Sequence, residues 1–421
     1  LRRSLLLDSK ADLLVYGMAE RAMLEMARRL GTLESGAYTP AALHGVPGAV
    51  FAVSTLESFF AEPGAPPRDR VIPLPAHEAI AADPAKLMDA TLAIERQVHQ
   101  GAQWAVQQSG ARHVVFAPPA APLAADELDA LYALPFTRRA HPVYRAPVPA
   151  ADMVQFSVTS HRGCAGGCSF CSIALHQGRR IRSRSAQSLE AEVRTLTQHP
   201  DWRGSITDVG GPTANMWGAH CAADPAKCRR PDCLTPHVCR HFKTKAGQLA
   251  RLLHSLRAIE GVKHVRVASG VRYDLAEEGG PYLRALVREF VGGQLKVAPE
   301  HCRDHVLRLM RKPPFSAFEA FVECFEQESR RAGKEQYVIP YLISAFPGCT
   351  DEDMGALAGW LRARGWTPRQ VQCFIPTPGT VATAMYYAGI DPRGNPIPVA
   401  RSDKARLRQH RILIPRGSGK R

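Results

Sequence analysis

From about Met153 onward, short apolar runs alternate with stretches of helical period, and no hairpin signal interrupts them. The runs 154–159, 205–209, 264–268, 294–297, 336–343 and 370–375 are predicted strands. Between them, helices are predicted over 185–197, 247–259, 281–291, 305–310, 317–331 and 351–364. Leu249, Leu252, Leu253 and Leu256 form one apolar stripe, and Thr350 with Asp353 makes a capping-box pattern at the start of the last helix. Strands joined by helical crossovers form a parallel sheet, so the pattern predicts an α/β chain built on a partial (β/α)6 barrel. Such folds gather their chemistry at the carboxyl ends of the strands.

The preceding part is less regular. Residues 1–62 read as a truncated Rossmann-like α/β segment: a strand at 11–17, a helix at 20–30 and a strand at 50–53. Met23, Met26, Ala27 and Leu30 fall on one face of that helix and are expected in a core; Gly31 ends it. The chain does not begin with Met, and one βα unit cannot close a doubly wound sheet, so an earlier segment is expected to be missing. Residues 63–150 read as a proline-rich connecting region, with a helix over 84–109 that carries Trp104, a short strand from Val114 and a helix at 126–132. The barrel is assigned to 151–388 with a cysteine-rich insertion at 212–246, and 389–421 to a basic flexible tail.

The first predicted barrel strand runs into Arg162-Gly-Cys-Ala-Gly-Gly-Cys-Ser-Phe-Cys171. Cys164, Cys168 and Cys171 lie in a loop whose glycines permit the positive φ angles needed to turn several side chains inward. Thiolates are the ligands of iron–sulfur clusters, which ordinarily take four. The local set stops at three, which leaves one iron open, as a catalytic metal keeps a vacant position. A structural zinc with a distant ligand, or buried thiols, are the alternatives. None of the 11 cysteines precedes Cys164, and their clustering in a long chain fits metal and a reducing cytosol better than a secreted disulfide scaffold. No apolar run reaches the roughly 18–20 residues of a membrane helix. The net charge of +15 is compatible with acidic partners, nucleic acid among them, or with a solvated basic surface.

The Cys-x3-Cys-x2-Cys spacing, with Phe170 before the third thiol, resembles the radical S-adenosylmethionine (SAM) superfamily. Together with Asp208-Val-Gly-Gly-Pro-Thr-Ala-Asn-Met216, Leu295-Lys-Val-Ala-Pro-Glu-His301 and Phe374-Ile-Pro-Thr-Pro-Gly-Thr380, it resembles the YgiQ (UPF0313) family over roughly residues 1–390. The resemblance implies that Cys164, Cys168 and Cys171 hold a [4Fe-4S] cluster whose open iron chelates SAM. Reductive cleavage would yield methionine and a 5′-deoxyadenosyl radical that abstracts hydrogen from an unidentified substrate, with flavodoxin or ferredoxin as reductant. It further implies SAM contacts from Gly210 and Gly211, from Ser269 and Arg272, from Lys296 and Glu300, and from Ile375 against adenine. Pro212 stands where the superfamily has an acid, so Asn215 or Glu300 is expected to substitute. An RNA-modifying radical enzyme and a non-catalytic iron–sulfur protein are the competing functions.

The insertion carries Cys221, Cys228, Cys233 and Cys239 at intervals that fit no zinc-finger template. They are candidate ligands of a second iron–sulfur cluster or a zinc, against free thiols in a proline-packed loop. Cys302, Cys324, Cys349 and Cys373 are scattered and expected to be packing residues.

Overall fold

In the computed structural model, residues 1–34, 36–224, 227–368 and 370–414 are described. The N-terminal part is one five-stranded sheet: Leu14–Val15 (β1), Ala49–Val53 (β2), Val71–Leu74 (β3), Trp104–Ser109 (β4) and Arg112–Phe116 (β5), in the order β1-β2-β5-β4-β3. Only β3 and β4 are parallel neighbours; β2 runs antiparallel to both β1 and β5, and β4–β5 is a hairpin turned at Gly110. Residue 62 is therefore no structural boundary, because 71–116 supply three of the five strands. The helix expected to reach residue 109 stops at Gln100, where Gly101 takes a left-handed conformation, and Trp104 sits in β4 instead. In that strand Trp104 packs with Phe51 and Phe59.

The helix Glu20–Gly31 forms, but its apolar stripe does not face a core: Met23, Leu24 and Leu30 are exposed. The side chain it buries is Ala22, set against Val46 and Ala49, with Met26 at the margin. The close approach of helix to strand needs the small residue, and the larger ones are left outside.

Ser157–Thr159 (β6) opens the barrel, and a ribbon of His161–Arg162 (β7) with Arg182–Ser183 (β8) closes the cysteine loop at its base. Ser205–Ile206 (β9) and Asp208–Gly210 (β10) form the second stave, and His220–Cys221 (β11) pairs with Phe242–Lys243 (β12) inside the insertion. His264–Val265 (β13), Gln294–Glu300 (β14), Tyr337–Ser344 (β15) and Gln370–Cys373 (β16) complete the sequence. The barrel pairings are all parallel: β6 with β10, β9 with β13, Val271 with Val297, β14 with β15 and β15 with β16. This is the partial (β/α)6 arrangement, open between its first and last staves. Its main core joins strand residues such as Val158, Ile206, Val265 and Leu295 to Leu189, Leu253, Phe318 and Leu357 of the surrounding helices.

Local signals hold where they are short-range. Ser185 caps Ala186–Thr197 by accepting from Ser188 N at 3.0 Å. Thr350 Oγ1 accepts from Asp353 N at 3.2 Å while Asp353 accepts from Thr350 N at 3.0 Å, the reciprocal cap expected for Asp351–Ala363. The helix expected over 281–291 is α-helical only over Pro281–Ala285 and widens to a π turn at Leu286–Phe290.

The basic segment after residue 389 is not wholly a flexible tail. Asp403–Leu413 is a helix whose Gln409 donates to Cys349 O at 3.1 Å and whose Arg406 donates to Phe374 O at 2.6 Å, tying it to the ends of the last strands. The expectation for 416–421 lies outside the described residues.

Beneath the first stave, Arg184 is almost wholly buried, with Glu192 as its carboxylate partner and the ring of Tyr132 4.3 Å from the guanidinium carbon. Arg138 binds the other oxygen of Glu192, and Arg184 also donates to Thr159 O at 3.0 Å. Burial pulls the Arg184 pKa down to about 10, so removing the carboxylate leaves an expensive cation. Glu192→Ala is expected to lower unfolding free energy by about 3–5 kcal/mol in urea titrations, against near-neutral loss for an exposed glutamate.

Candidate metal centre

The cysteine loop is held from both ends and from beneath. Cys164 N donates to Gly178 O at 3.1 Å and Gly163 N to Gln177 Oε1 at 3.0 Å. Ser169 N donates to Met310 O at 3.0 Å, Ser169 Oγ donates to Leu309 O at 2.6 Å, and Ala382 N donates to Ser169 O at 2.8 Å. The loop thereby rests on the ends of the helices Asp304–Met310 and Val381–Ala388. Phe170 meets Phe346 edge-on at 6.2 Å.

Two of its glycines are steric requirements. At Gly163 (φ +85°) a Cβ would lie 2.2 Å from Arg180 O, and at Gly167 it would lie 2.6 Å from the Asp232 Cβ. The second contact shows that the insertion is seated on the loop. Cys233 N donates to Ala165 O at 3.0 Å, and Cys233, Leu234 and Phe242 share an apolar cluster with Ala165, against which Cys164 and Cys239 pack.

Arg272 is the buried cation of the site. Its Nε and Nη2 bind the two oxygens of Asp274 at 2.8 and 2.6 Å, and its Nη1 points at Cys168 Sγ, 3.9 Å away. Burial alone would lower its pKa; the Asp274 carboxylate, then Cys168 and Cys164, hold it above its ordinary value. Asn215 clamps the Arg272 backbone, donating to its O and accepting from its N at 2.9 Å each. Asn215 thus positions the arginine and is not free to replace an acid at Pro212. Cys164 Sγ lies 3.7 Å from Thr213 Oγ1.

Gly210 and Gly211 end β10 beside the loop. A Cβ on Gly210 would lie 2.5 Å from Ser269 Oγ, and one on Gly211 would lie 2.7 Å from the His161 ring. The Ser269 hydroxyl donates to Asp208 Oδ2, and Asp208 Oδ1 accepts from Ala268 N and Ser269 N at 2.7 and 3.0 Å. Asp208 therefore joins the second stave to the third, and it is Asp208 that holds the serine.

Glu300 ends β14 in a left-handed conformation, φ +70°, which a side-chain-bearing residue rarely adopts. Its side chain is buried, and its ion-pair partner is Lys312 at 3.7 Å, not Lys296. Burial raises its pKa, while Lys312 and Arg272 act to lower it. A register shift between Val297 and Glu300 separates it from Lys296, which has no ion pair among the described residues. Backbone strain at a strand end is characteristic of functional sites, and Ala345 repeats it after β15 at φ +58°. Ile375 is exposed just beyond β16. The structure thus brings Cys164, Cys168, Arg272, Gly210, Gly211 and Ser269 together, with Glu300 close enough to act on Cys171. Thr213, Asp208, Asp274 and Lys312 were not anticipated. An Asp two residues after an Arg was the one readable sign.

The donor set and the cradle fit a cluster held by three thiolates. Burial raises the Cys171 thiol to about 11 and raises Cys164 as well, with Cys168 adding to both, so ligation must displace protons. Arg272 is placed to offset the charge that results. Among the described residues no group of three or more His, Cys, Asp or Glu could hold a single metal ion. A four-iron cluster puts each thiolate on a different iron, so three cysteines of one loop need not converge on a single ion to hold it. Among the described residues the insertion's four thiols form no such group either. Its thiols are nevertheless neighbours: burial raises Cys233 to about 11, with Arg179 opposing and Cys221, Cys228 and Cys239 adding. Cys324 and Cys349 are buried in the main core, as packing residues would be.

Two histidines near the strand ends titrate far from their ordinary value. Burial lowers both His161 and His301 from 6.5 to about 4. Their neutral forms stabilise the fold fully above pH 6.5, and this contribution is lost as pH falls from 6.5 toward 4. Each is worth on the order of 2 kcal/mol by pH 5. His301→Asn, which keeps an acceptor for Arg303 N, is expected to shrink the drop in unfolding free energy between pH 7.5 and 5, measured by urea titration; an unchanged drop would contradict the assignment.

Residues 1–157 match the family model described as Radical SAM N-terminal, and 369–415 match a domain of unknown function, DUF3362. A UPF0313 protein of Geobacter sulfurreducens is 46% identical over 98% of this chain and 67% of its own length. A UPF0313 protein of Bradyrhizobium diazoefficiens is 43% identical over 93% of this chain and 60% of its own length. The chain thus spans only 60–67% of these two relatives. Among solved structures, the radical SAM methyltransferase TsrM from Kitasatospora setae, with cobalamin and a [4Fe-4S] cluster bound, shares the fold. Its TM-score is 0.50 at 14% identity, covering 97% of this chain and 70% of that one.

Proposed function

This chain belongs to the UPF0313 family, and because two of its three loop thiols, Cys168 and Cys164, lie about a buried arginine at a barrel mouth, we propose that it is a radical SAM enzyme. The observation that carries this reading is that the loop of Cys164, Cys168 and Cys171 follows the first parallel strand, whose Thr159 pairs with Gly210 and whose next residue, Ser160, donates to Gly210 O at 2.7 Å. Cys164, Cys168 and Cys171 would hold a [4Fe-4S] cluster, which when bound would supply the one-electron chemistry that cleaves SAM to methionine and a 5′-deoxyadenosyl radical.

The chain's own residues provide the rest. Gly210 and Gly211 keep side chains away from the strand end, so that their backbone can approach the SAM ammonium. Arg272, fixed by Asp274 and by Asn215, balances the thiolate charge and prevents its repulsion of an incoming electron. Glu300, strained and buried, faces the same mouth with Lys312 beside it. Phe346 and Phe374, both buried, line the base beneath Phe170 and exclude water there. Ile375 offers an apolar surface at the last strand end. A flavodoxin or ferredoxin is the reductant this reading requires.

Anaerobically reconstituted protein given dithionite and SAM is expected to release 5′-deoxyadenosine, and Cys168→Ala to lose that product by more than about a hundredfold. Equal yields from the two proteins, or no product from either with full iron and sulfide content, would overturn the proposal.

A further inference from the structure

The carboxyl end of β1 and the exit of the cysteine loop enclose a cavity of about 210 Å³. It is bounded by the Tyr16–Gly17 turn after β1, by Pro119 after β5 and by the 176–182 segment that leads into β8. β1 and β5 point the same way, each antiparallel to β2 between them, so both carboxyl ends open here.

Its lining is strongly one-sided in charge: Arg21, Arg162, Arg179, Arg180 and Arg182 against Glu20 alone. Three of these cations are partly committed within the protein. Arg162 pairs with Glu20 at 2.6 Å, Arg21 pairs with Glu127, and Arg179 donates to His99 Nδ1 at 2.9 Å and to Arg230 O at 2.9 Å. Donor capacity is left over. The Nε atoms of Arg21 and Arg182 and the Nε2 of His99 are buried with no partner. Since Nδ1 of His99 accepts from an arginine, its Nε2 must carry the proton in the neutral ring, so all three atoms are N–H donors. Partial desolvation of the guanidinium, then the neighbouring Arg182, lowers the Arg180 pKa, with Asp224 opposing. The three donor nitrogens lie behind the cavity surface, and the cations clustered around it repel one another unless an anion sits between them.

The cavity also abuts the metal centre. Val98, His99, Leu175 and Arg179 form a common wall with a smaller cavity that Cys168, Ser169 and Cys171 line. We propose that this arginine-lined cavity binds the phosphate group of a small phosphorylated substrate, anchoring it beside the cysteine loop. The volume suits a phosphate ester or pyrophosphate and is too small for a nucleic-acid strand. The proposal rests on the radical SAM reading for what happens to the substrate, but the anion site itself does not depend on it.

Titration calorimetry of the reconstituted protein with inorganic pyrophosphate, without SAM or reductant, separates the two. Saturable binding is expected, and the double substitution Arg180→Ala and Arg182→Ala should weaken it about tenfold or more, as for loss of one or more charge-assisted hydrogen bonds. Arg139→Ala, which removes an equal kind of charge at an exposed ion pair with Asp201, should leave affinity unchanged. Arg180→Ala alone, at an exposed position, guards against misfolding of the double variant and should show the same direction. No binding of pyrophosphate, equal loss in Arg139→Ala, or binding of a short RNA but not of pyrophosphate would each overturn the proposal. Absence of 5′-deoxyadenosine with pyrophosphate binding intact would instead count against the radical reading alone.

Discussion

A guanidinium buried at the mouth of a barrel must be neutralised where it stands, and the arrangement around Arg272 follows from that need. Removing such a charge from water costs several kcal/mol unless partners are fixed around it. Asp274 supplies a two-point carboxylate, and Asn215 locks the backbone so that the third nitrogen faces Cys168. The pair Arg272–Asp274 is near neutral by itself. Adding the thiolates of a bound cluster leaves the arginine with charge on both sides, which suits a site that must hold sulfur in its ionised form and accept an electron.

The glycines of the cysteine loop and of the second stave set the distances. Gly163, Gly167, Gly210 and Gly211 each stand where a Cβ would overlap a neighbour, and the neighbours come from four different parts of the chain: Arg180, Asp232, Ser269 and His161. The loop, the second stave, the third stave and the insertion are therefore packed backbone to side chain around one point. The insertion is part of the centre's wall, since its 231–234 segment covers the loop and its Cys233 lies in the same apolar cluster as Ala165.

Much of this was legible in the sequence, and the exceptions share a cause. The alternation of apolar runs and helical stripes gave the parallel barrel in order, and thiol spacing located the centre, because both are local patterns. The N-terminal sheet was misread because β3, β4 and β5 join β1 and β2 through pairings distant along the chain, and Gly101 ends a helix that apolar periodicity alone extended to residue 109. Met23 and Leu30 have the spacing of a core stripe, yet the tight contact goes to Ala22. Ser269 and Glu300 were noticed as site residues, but not that Asp208 holds the one or that Lys312 meets the other. Asp208 lies on the stave next to Ser269, and register across a sheet is not written in either strand alone, while Lys312 returns to Glu300 only after the helix Asp304–Met310. The final helix, 403–413, looks like a basic tail because its buried contacts rest on Gln409 and Leu413 and not on a broad apolar face.

If three thiolates and a neighbouring arginine hold a four-iron cluster with one iron open, SAM must alter that iron directly. The decisive measurement is the low-temperature electron paramagnetic resonance spectrum of the dithionite-reduced, reconstituted protein, recorded before and after SAM is added. The account predicts a reduced [4Fe-4S] signal whose g values shift on addition of SAM and return when SAM is removed. A cluster signal that SAM leaves unchanged would contradict it.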